Sequence, residues 1–173
     1  MNKYIIKSVL ISLFSLLSFV ANSSYAREFE YSLTKDEVTD NPDGYAAILS
    51  TDSSLVLAIK CTSKGDLLYG FFINTELQRF KMFDSKGGRT FTNVMVRPGT
   101  QQANTFPMRI FFESESKAAY WPDDLRSFIG KEKEILVRYY PNISTEKTVK
   151  FELSKLPEAE QKMKHHCSGG KIK

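Results

Sequence analysis

From Tyr45 onward, the apolar residues of this chain fall into short runs separated by turn formers. Residues 45–49 and 55–60 flank the polar stretch Ser50-Thr51-Asp52-Ser53-Ser54, which predicts a β-hairpin. Leu67–Ile73 is a dense Leu and Phe run. Residues 79–83 alternate, with Phe80 and Met82 offset from Arg79, Lys81 and Phe83, and Lys86-Gly87-Gly88 then turns the chain into a strand over 89–96. Pro98-Gly99 ends that strand, and Pro42-Asp43-Gly44 reads as another turn. Further strands are expected at 108–113, 117–121, 134–140 and 147–153. In the last of these, Val149, Phe151 and Leu153 share one face while Lys150 and Glu152 point away.

Two short helices interrupt the strands. One follows Pro122-Asp123-Asp124, with acids that cap its start and Gly130 at its stop. The other opens at Pro157 and runs to about His166. Many short strands at regular turns predict a mostly β, single-domain antiparallel β-sandwich or barrel carrying these two helices. The 13 Phe and 8 Tyr suit such a core.

Residues 1–26 have the layout of a cleavable secretory signal. Lys3 and Lys7 are positive, an uncharged apolar stretch follows, and small residues at Ser24 and Ala26 place cleavage before Arg27. The apolar stretch, about 13 residues at about 1.5 Å each, reaches roughly 20 Å, short of a hydrocarbon core of about 30 Å. The expectation is export to the periplasm or beyond, with no stable membrane insertion, and a single domain over 27–173.

Of the 24 basic residues the leader holds Lys3 and Lys7, which leaves 22 against 20 acidic ones. That balance is too even for a nucleic-acid binder, which needs a clustered basic face. The two cysteines, Cys61 and Cys167, are expected to form one disulfide in an oxidising compartment. It would tie the C-terminal segment to a strand end.

Residues with catalytic potential are few. His165 and His166 are adjacent, near the end of the chain and beside Cys167, with no nucleophile placed by sequence to meet them. Neighbouring helical residues point about 100° apart, so these three do not read as a metal site. Asp36, Glu37, Asp40 and Asp43 lack the alternation of a calcium loop and read as a solvated turn. Glu113 and Glu115 share a strand face, a spacing that does not distinguish a catalytic pair. Asn142-Ile143-Ser144 matches a glycosylation acceptor. The β core is the favoured place for the strand of Tyr69 and Phe71 and for Trp121; Tyr69, Phe71, Trp121 and Tyr139 are the candidate interaction surface as the alternative. No metal and no cofactor are expected.

Several segments in order carry a family resemblance: Asp36-Glu37-Val38-Thr39-Asp40, a strand ending in Cys61, Ile135-Leu136-Val137-Arg138-Tyr139-Tyr140-Pro141, Phe151-Glu152-Leu153-Ser154-Lys155-Leu156 and the terminal Cys167. This order resembles the small exported proteins typified by the type VI secretion-associated protein VasI. The resemblance implies a non-enzymatic accessory or binding role in the cell envelope with a protein partner, and it brings no catalytic residues. Two other functions were weighed: an exported inhibitor of an enzyme such as lysozyme, by analogy of fold alone, and a carboxylate hydrolase using Glu113 or Asp84. Mass analysis without reductant is expected to show a product beginning at Arg27 and lighter by two hydrogens than its reduced form.

Overall fold

The computed structural model describes residues 27–36, 41–62, 64–75, 78–82, 84–86, 89–110, 118–142 and 145–169. The leader over 1–26, Glu37 and Asp40 of the acidic turn, Gly87 and Gly88, Glu113 and Glu115, and Ile143 and Ser144 lie outside the described residues, as does the side chain of Asp84.

Among the described residues, ten strands build one antiparallel sheet. β1 (Glu30–Lys35), β2 (Pro42–Leu49), β3 (Leu55–Cys61) and β4 (Leu67–Ile73) form a meander. β5 (Asp84–Lys86) pairs with β6 (Arg89–Pro98), which pairs in turn with β7 (Asn104–Ile110). β8 (Ala118–Tyr120) is inserted between β4 and β7 and so joins the two halves. After helix α1 (Asp123–Ile129), β9 (Glu134–Tyr139) pairs with β6 and β10 (Lys147–Glu152) with β9, and helix α2 (Leu156–Cys167) ends the fold. The spatial order is β1-β2-β3-β4-β8-β7-β6-β9-β10.

The sheet curls until its inner face packs on itself. Alternation puts Leu55, Leu57 and Ile59 of β3 on that face, with Ile135, Val137 and Tyr139 of β9, all fully buried. Phe71 of β4 and Phe151 of β10, far apart in strand order, meet with ring centroids 5.7 Å apart. At one end of the curl the Thr51 N–H donates to Lys150 O at 2.8 Å, so the β2–β3 turn reaches β10. The expected sandwich or barrel is thus a single rolled sheet. Each large aliphatic or aromatic side chain taken from water on this face stabilises the fold by about 1.5–3 kcal/mol.

Both helices lie by the end of the roll marked by Cys61. Leu156, Ala159 and Met163 of α2 are buried against β2, β3 and β4, and the Cys61–Cys167 disulfide fixes the helix's last residue, with Cα atoms 5.4 Å apart. Leu125 and Ile129 of α1 are buried, and Phe128 packs on Phe106 at 5.2 Å.

Three local expectations are corrected. Pro42-Asp43-Gly44 is not a turn but the start of β2, because its backbone pairs with 33–35 of β1. Gly44, at φ 150°, permits this: a Cβ there would lie 2.4 Å from Ser32 O. Residues 79–83 do not make a strand among the described residues. Phe80 is buried against Tyr139 at 5.8 Å and bridges to Pro141, but Met82 is half exposed and has no second apolar face to cover. Finally, α1 is entered through Pro122 in extended conformation with no side-chain cap, so Asp123 and Asp124 occupy the first turn rather than the cap.

The disulfide spans 106 residues of sequence, so replacing both cysteines by serine is expected to lower unfolding free energy by about 4–5 kcal/mol in the chain-entropy description. Urea unfolding of the two forms measures it.

Candidate functional site

Of the four candidate surface residues three are in the core, the place favoured from sequence for Phe71 and Trp121. Phe71 and Tyr139 are fully buried and Trp121 is 7% exposed, so these present no recognition surface. Phe71 and Tyr139 point inward because register with β3 and β6 puts odd-numbered positions of β4 and β9 on the inner face. Tyr69 is partly buried: its ring stacks on Trp121 at 5.1 Å, and its hydroxyl donates to Glu160 Oε1 at 2.7 Å.

That hydroxyl belongs to a polar cluster locking α1, α2 and β4 together. Arg126 Nη2 donates to Glu160 Oε2 at 2.9 Å, its Nε donates to Oε1, and Nη1 donates to Gly130 O at 2.7 Å. Burial disfavours the Glu160 carboxylate, but hydrogen bonds from Arg126 and Tyr69 outweigh it and hold Glu160 below the usual carboxylate range. Burial, then the bond to Glu160, pushes the Tyr69 hydroxyl well above its ordinary value. Both Glu160 carboxylate oxygens are used in joining elements, and Arg126 also caps the end of its own helix, which is a structural role.

A second cluster lies where the β2–β3 turn meets β9 and β10. Asp52 Oδ1 accepts from Ser50 Oγ at 2.8 Å and from the Ser54 N–H at 3.1 Å, and Lys147 Nζ lies 4.0 Å from Oδ2. Partial burial raises the Asp52 pKa, but the Ser54 amide and the two hydroxyls outweigh it and set it below normal. Ser54 Oγ shares a hydrogen bond with Tyr139 OH at 3.2 Å, and Arg27 clamps the turn by donating to Ser50 O and Thr51 O. His166 is also occupied: its Nε2 lies 3.0 Å from Thr34 O and 2.8 Å from Asp43 O. Both partners are carbonyl oxygens, so this nitrogen carries the proton and donates. Asn142 Oδ1 accepts the Arg79 N–H at 2.9 Å, which ties the residue of the acceptor motif to the backbone. Among the described residues, no group of three or more His, Cys, Asp or Glu is placed to hold a metal ion.

The unusual surface is the outside of the sheet. On β9 and β10 four of the six outer positions are charged, Leu136 and Thr148 being the others, and Lys150 Nζ lies 2.6 Å from Glu134 and 3.1 Å from Glu152. On β2, β3, β4 and β8 the outer positions are mostly apolar, with Lys60 and Asp43 the charged exceptions. One cross-strand row runs Leu49, Val56, Phe72, Ala118, and the next runs Ala47, Ala58, Gly70, Tyr120. A third holds Tyr45, Lys60 and Leu68. All are partly exposed except Gly70, which is buried, and the packed helices touch the opposite face. Phe72 and Tyr120 meet edge to face at 6.2 Å. Gly70 keeps the floor low, since a Cβ there would meet Ala119 O at 3.3 Å. A water-facing antiparallel sheet normally alternates apolar-in with polar-out, and a contiguous apolar patch marks an interaction site.

This surface was readable in part. Residues 45–49, 55–59 and 67–73 are continuous apolar runs rather than alternating ones, the pattern of strands with two apolar faces. The run holds both Phe71 and Phe72, and the register that turns Phe71 in and Phe72 out is tertiary.

Comparison with known protein families, with characterised proteins and with solved structures finds no match to this chain. No helix among the described residues is long and apolar enough to cross a membrane.

The Glu160 pKa is depressed in the fold, so its stabilisation is present above the unfolded carboxylate value and is lost as pH falls through the folded one. Glu160→Gln is expected to cost about 2 kcal/mol near neutral pH and much less near pH 3. Urea midpoints of both forms at the two pH values test this.

Proposed function

We propose that the chain is a non-catalytic accessory protein of the cell envelope, periplasmic or secreted, that acts by binding protein through the outer face of β2, β3, β4 and β8 and is associated with a type VI secretion system. The observation that carries the binding role is that face: rows of Ala, Gly, Val, Leu and aromatic residues on the water side of a sheet whose opposite side is already filled. Such a patch favours association because covering it removes apolar area from water. The polar clusters support the same reading, since Glu160, Arg126, Asp52, Ser54 and His166 are each engaged in holding elements together. The Cys61–Cys167 bond suits an oxidising compartment, and the pattern of residues 1–26 suits delivery to one. The VasI-like order of motifs supplies the secretion link.

Deleting the gene is expected to reduce effector export or weaken the envelope. Restoring the native chain or Lys150→Glu should recover the phenotype, whereas Ala58→Glu, which puts a charge in the apolar floor, should not. Unchanged secretion and envelope integrity on deletion would end the proposal.

A further inference from the structure

Among the described residues the sheet rolls without closing, because β1 and β10 stand at opposite ends of the strand order and do not pair. The β10 edge is guarded. Thr51 N–H bonds to its Lys150 O, and Lys147, Lys150 and Glu152 put charge along it. β1 has no such guard in its middle. Tyr31-Ser32-Leu33-Thr34 holds no charge and no proline, and the register with β2 runs from Glu30 to Lys35 without a bulge.

Along an antiparallel strand, successive residues turn their N–H and C=O to opposite sides. Asp36 N–H donates to Asn41 O at 2.9 Å, in the register of β1 with β2, and Ser50 N–H donates to Leu55 O at 2.8 Å, in the register of β2 with β3. Both bonds give the same phase. Glu30, Ser32 and Thr34 bond toward β2, so the N–H and C=O of Tyr31, Leu33 and Lys35 point to the open edge. Leu33 is 39% exposed, since its partner across the ladder is Gly44, which has no side chain to cover it. This edge is pinned at both ends. Arg27 ties the chain before it to Ser50 O and Thr51 O, and His166 Nε2 lies 3.0 Å from Thr34 O. Between them, Lys162 Nζ of α2 sits 3.7 Å from the centroid of the Tyr31 ring.

We infer that the β1 edge takes an extended segment of a protein partner as an added antiparallel strand, at a site separate from the outer face of β2, β3, β4 and β8. Main-chain hydrogen bonds to Tyr31, Leu33 and Lys35 supply the attraction, and alternate side chains supply the selectivity. The segment that fits has β-branched apolar residues opposite Leu33 and Tyr31, hydroxyl residues opposite Ser32 and Thr34, an acid opposite Lys35 and a base opposite Glu30. The curl of the sheet does not oppose this contact, because a strand added at the edge follows one strand instead of spanning several. Since β1 is already formed and pinned, binding orders the segment alone. A short free peptide is expected to bind with a dissociation constant of about 0.1–1 mM, and a partner that holds the same segment extended binds more tightly.

The probe is the peptide acetyl-Glu-Thr-Val-Thr-Val-Lys-amide, titrated to about 3 mM into the isotope-labelled, disulfide-bonded chain from Arg27 and followed by NMR. Saturable shifts centred on the amides of Tyr31, Leu33 and Lys35 are expected, with slower hydrogen exchange at the same amides. N-methylation of both valines, whose N–H groups face β1, should weaken binding by about tenfold or more, whereas N-methylation of both threonines, whose N–H groups face away, should change it by less than about threefold. Leu33→Pro removes an edge donor and no β1–β2 bond, so its fold, checked by circular dichroism and the intact disulfide, should persist while binding falls by about tenfold or more. Lys150→Glu, on the opposite edge, should bind as the native chain does. An absence of saturable shifts, shifts centred elsewhere in the chain, or equal losses from the two methylated peptides overturns the added strand. If Leu33→Pro does not fold, the methylated pair decides alone. Failure here leaves binding through the outer face standing, and full complementation by Ala58→Glu, which removes that role, leaves the β1 edge standing.

Discussion

A curled sheet has to bury its concave side against itself, and in this protein that closure is carried by the contact of Phe71 on β4 with Phe151 on β10. Between them in strand order lie β8, β7, β6 and β9, so the contact is possible only if the whole sheet bends. The gain is the hydrophobic burial of Leu57, Val94, Val137 and their neighbours, which sets the curvature rather than any single turn. The Thr51–Lys150 hydrogen bond holds one end of the roll, and the helices lie by the other.

Closure leaves backbone and polar groups at both ends to be satisfied, and the two clusters do this. Glu160 is shared between α1, which supplies Arg126, and β4, which supplies Tyr69, so the helices do not rest on apolar contact alone. Such a pair is strongly destabilising when half removed, because the remaining charge is left in a desolvated place. Asp52 organises the opposite end in the same manner, accepting from the turn residues around it while Ser54 reaches Tyr139. The disulfide adds to α2 what helix packing does not, a covalent hold on its last residue.

The same closure explains why the outer face matters. Once the inner face is full, apolar residues on β2, β3, β4 and β8 have no place in the core and form a patch on the water side, the feature on which the proposed binding role rests. On β9 and β10, by contrast, Lys150 bridges Glu134 and Glu152, an ordinary polar exterior.

Sequence alone determined the elements. Period-two alternation located β10, continuous apolar runs located β3 and β4, and Pro157 and Gly130 marked helix ends, because these signals are local and depend on which side chains can follow one another along a strand or turn. The lone cysteine pair determined the disulfide. Tertiary structure decided the rest. Whether Pro42-Asp43-Gly44 turns or pairs, whether 79–83 becomes a strand, and whether Phe71 or Phe72 faces inward depend on register with a distant strand, and a shift of one residue exchanges the two faces. The row from Ala47 to Tyr120 gathers one residue from each of four strands, and hydrogen bonding across the sheet, not proximity along the chain, makes them neighbours.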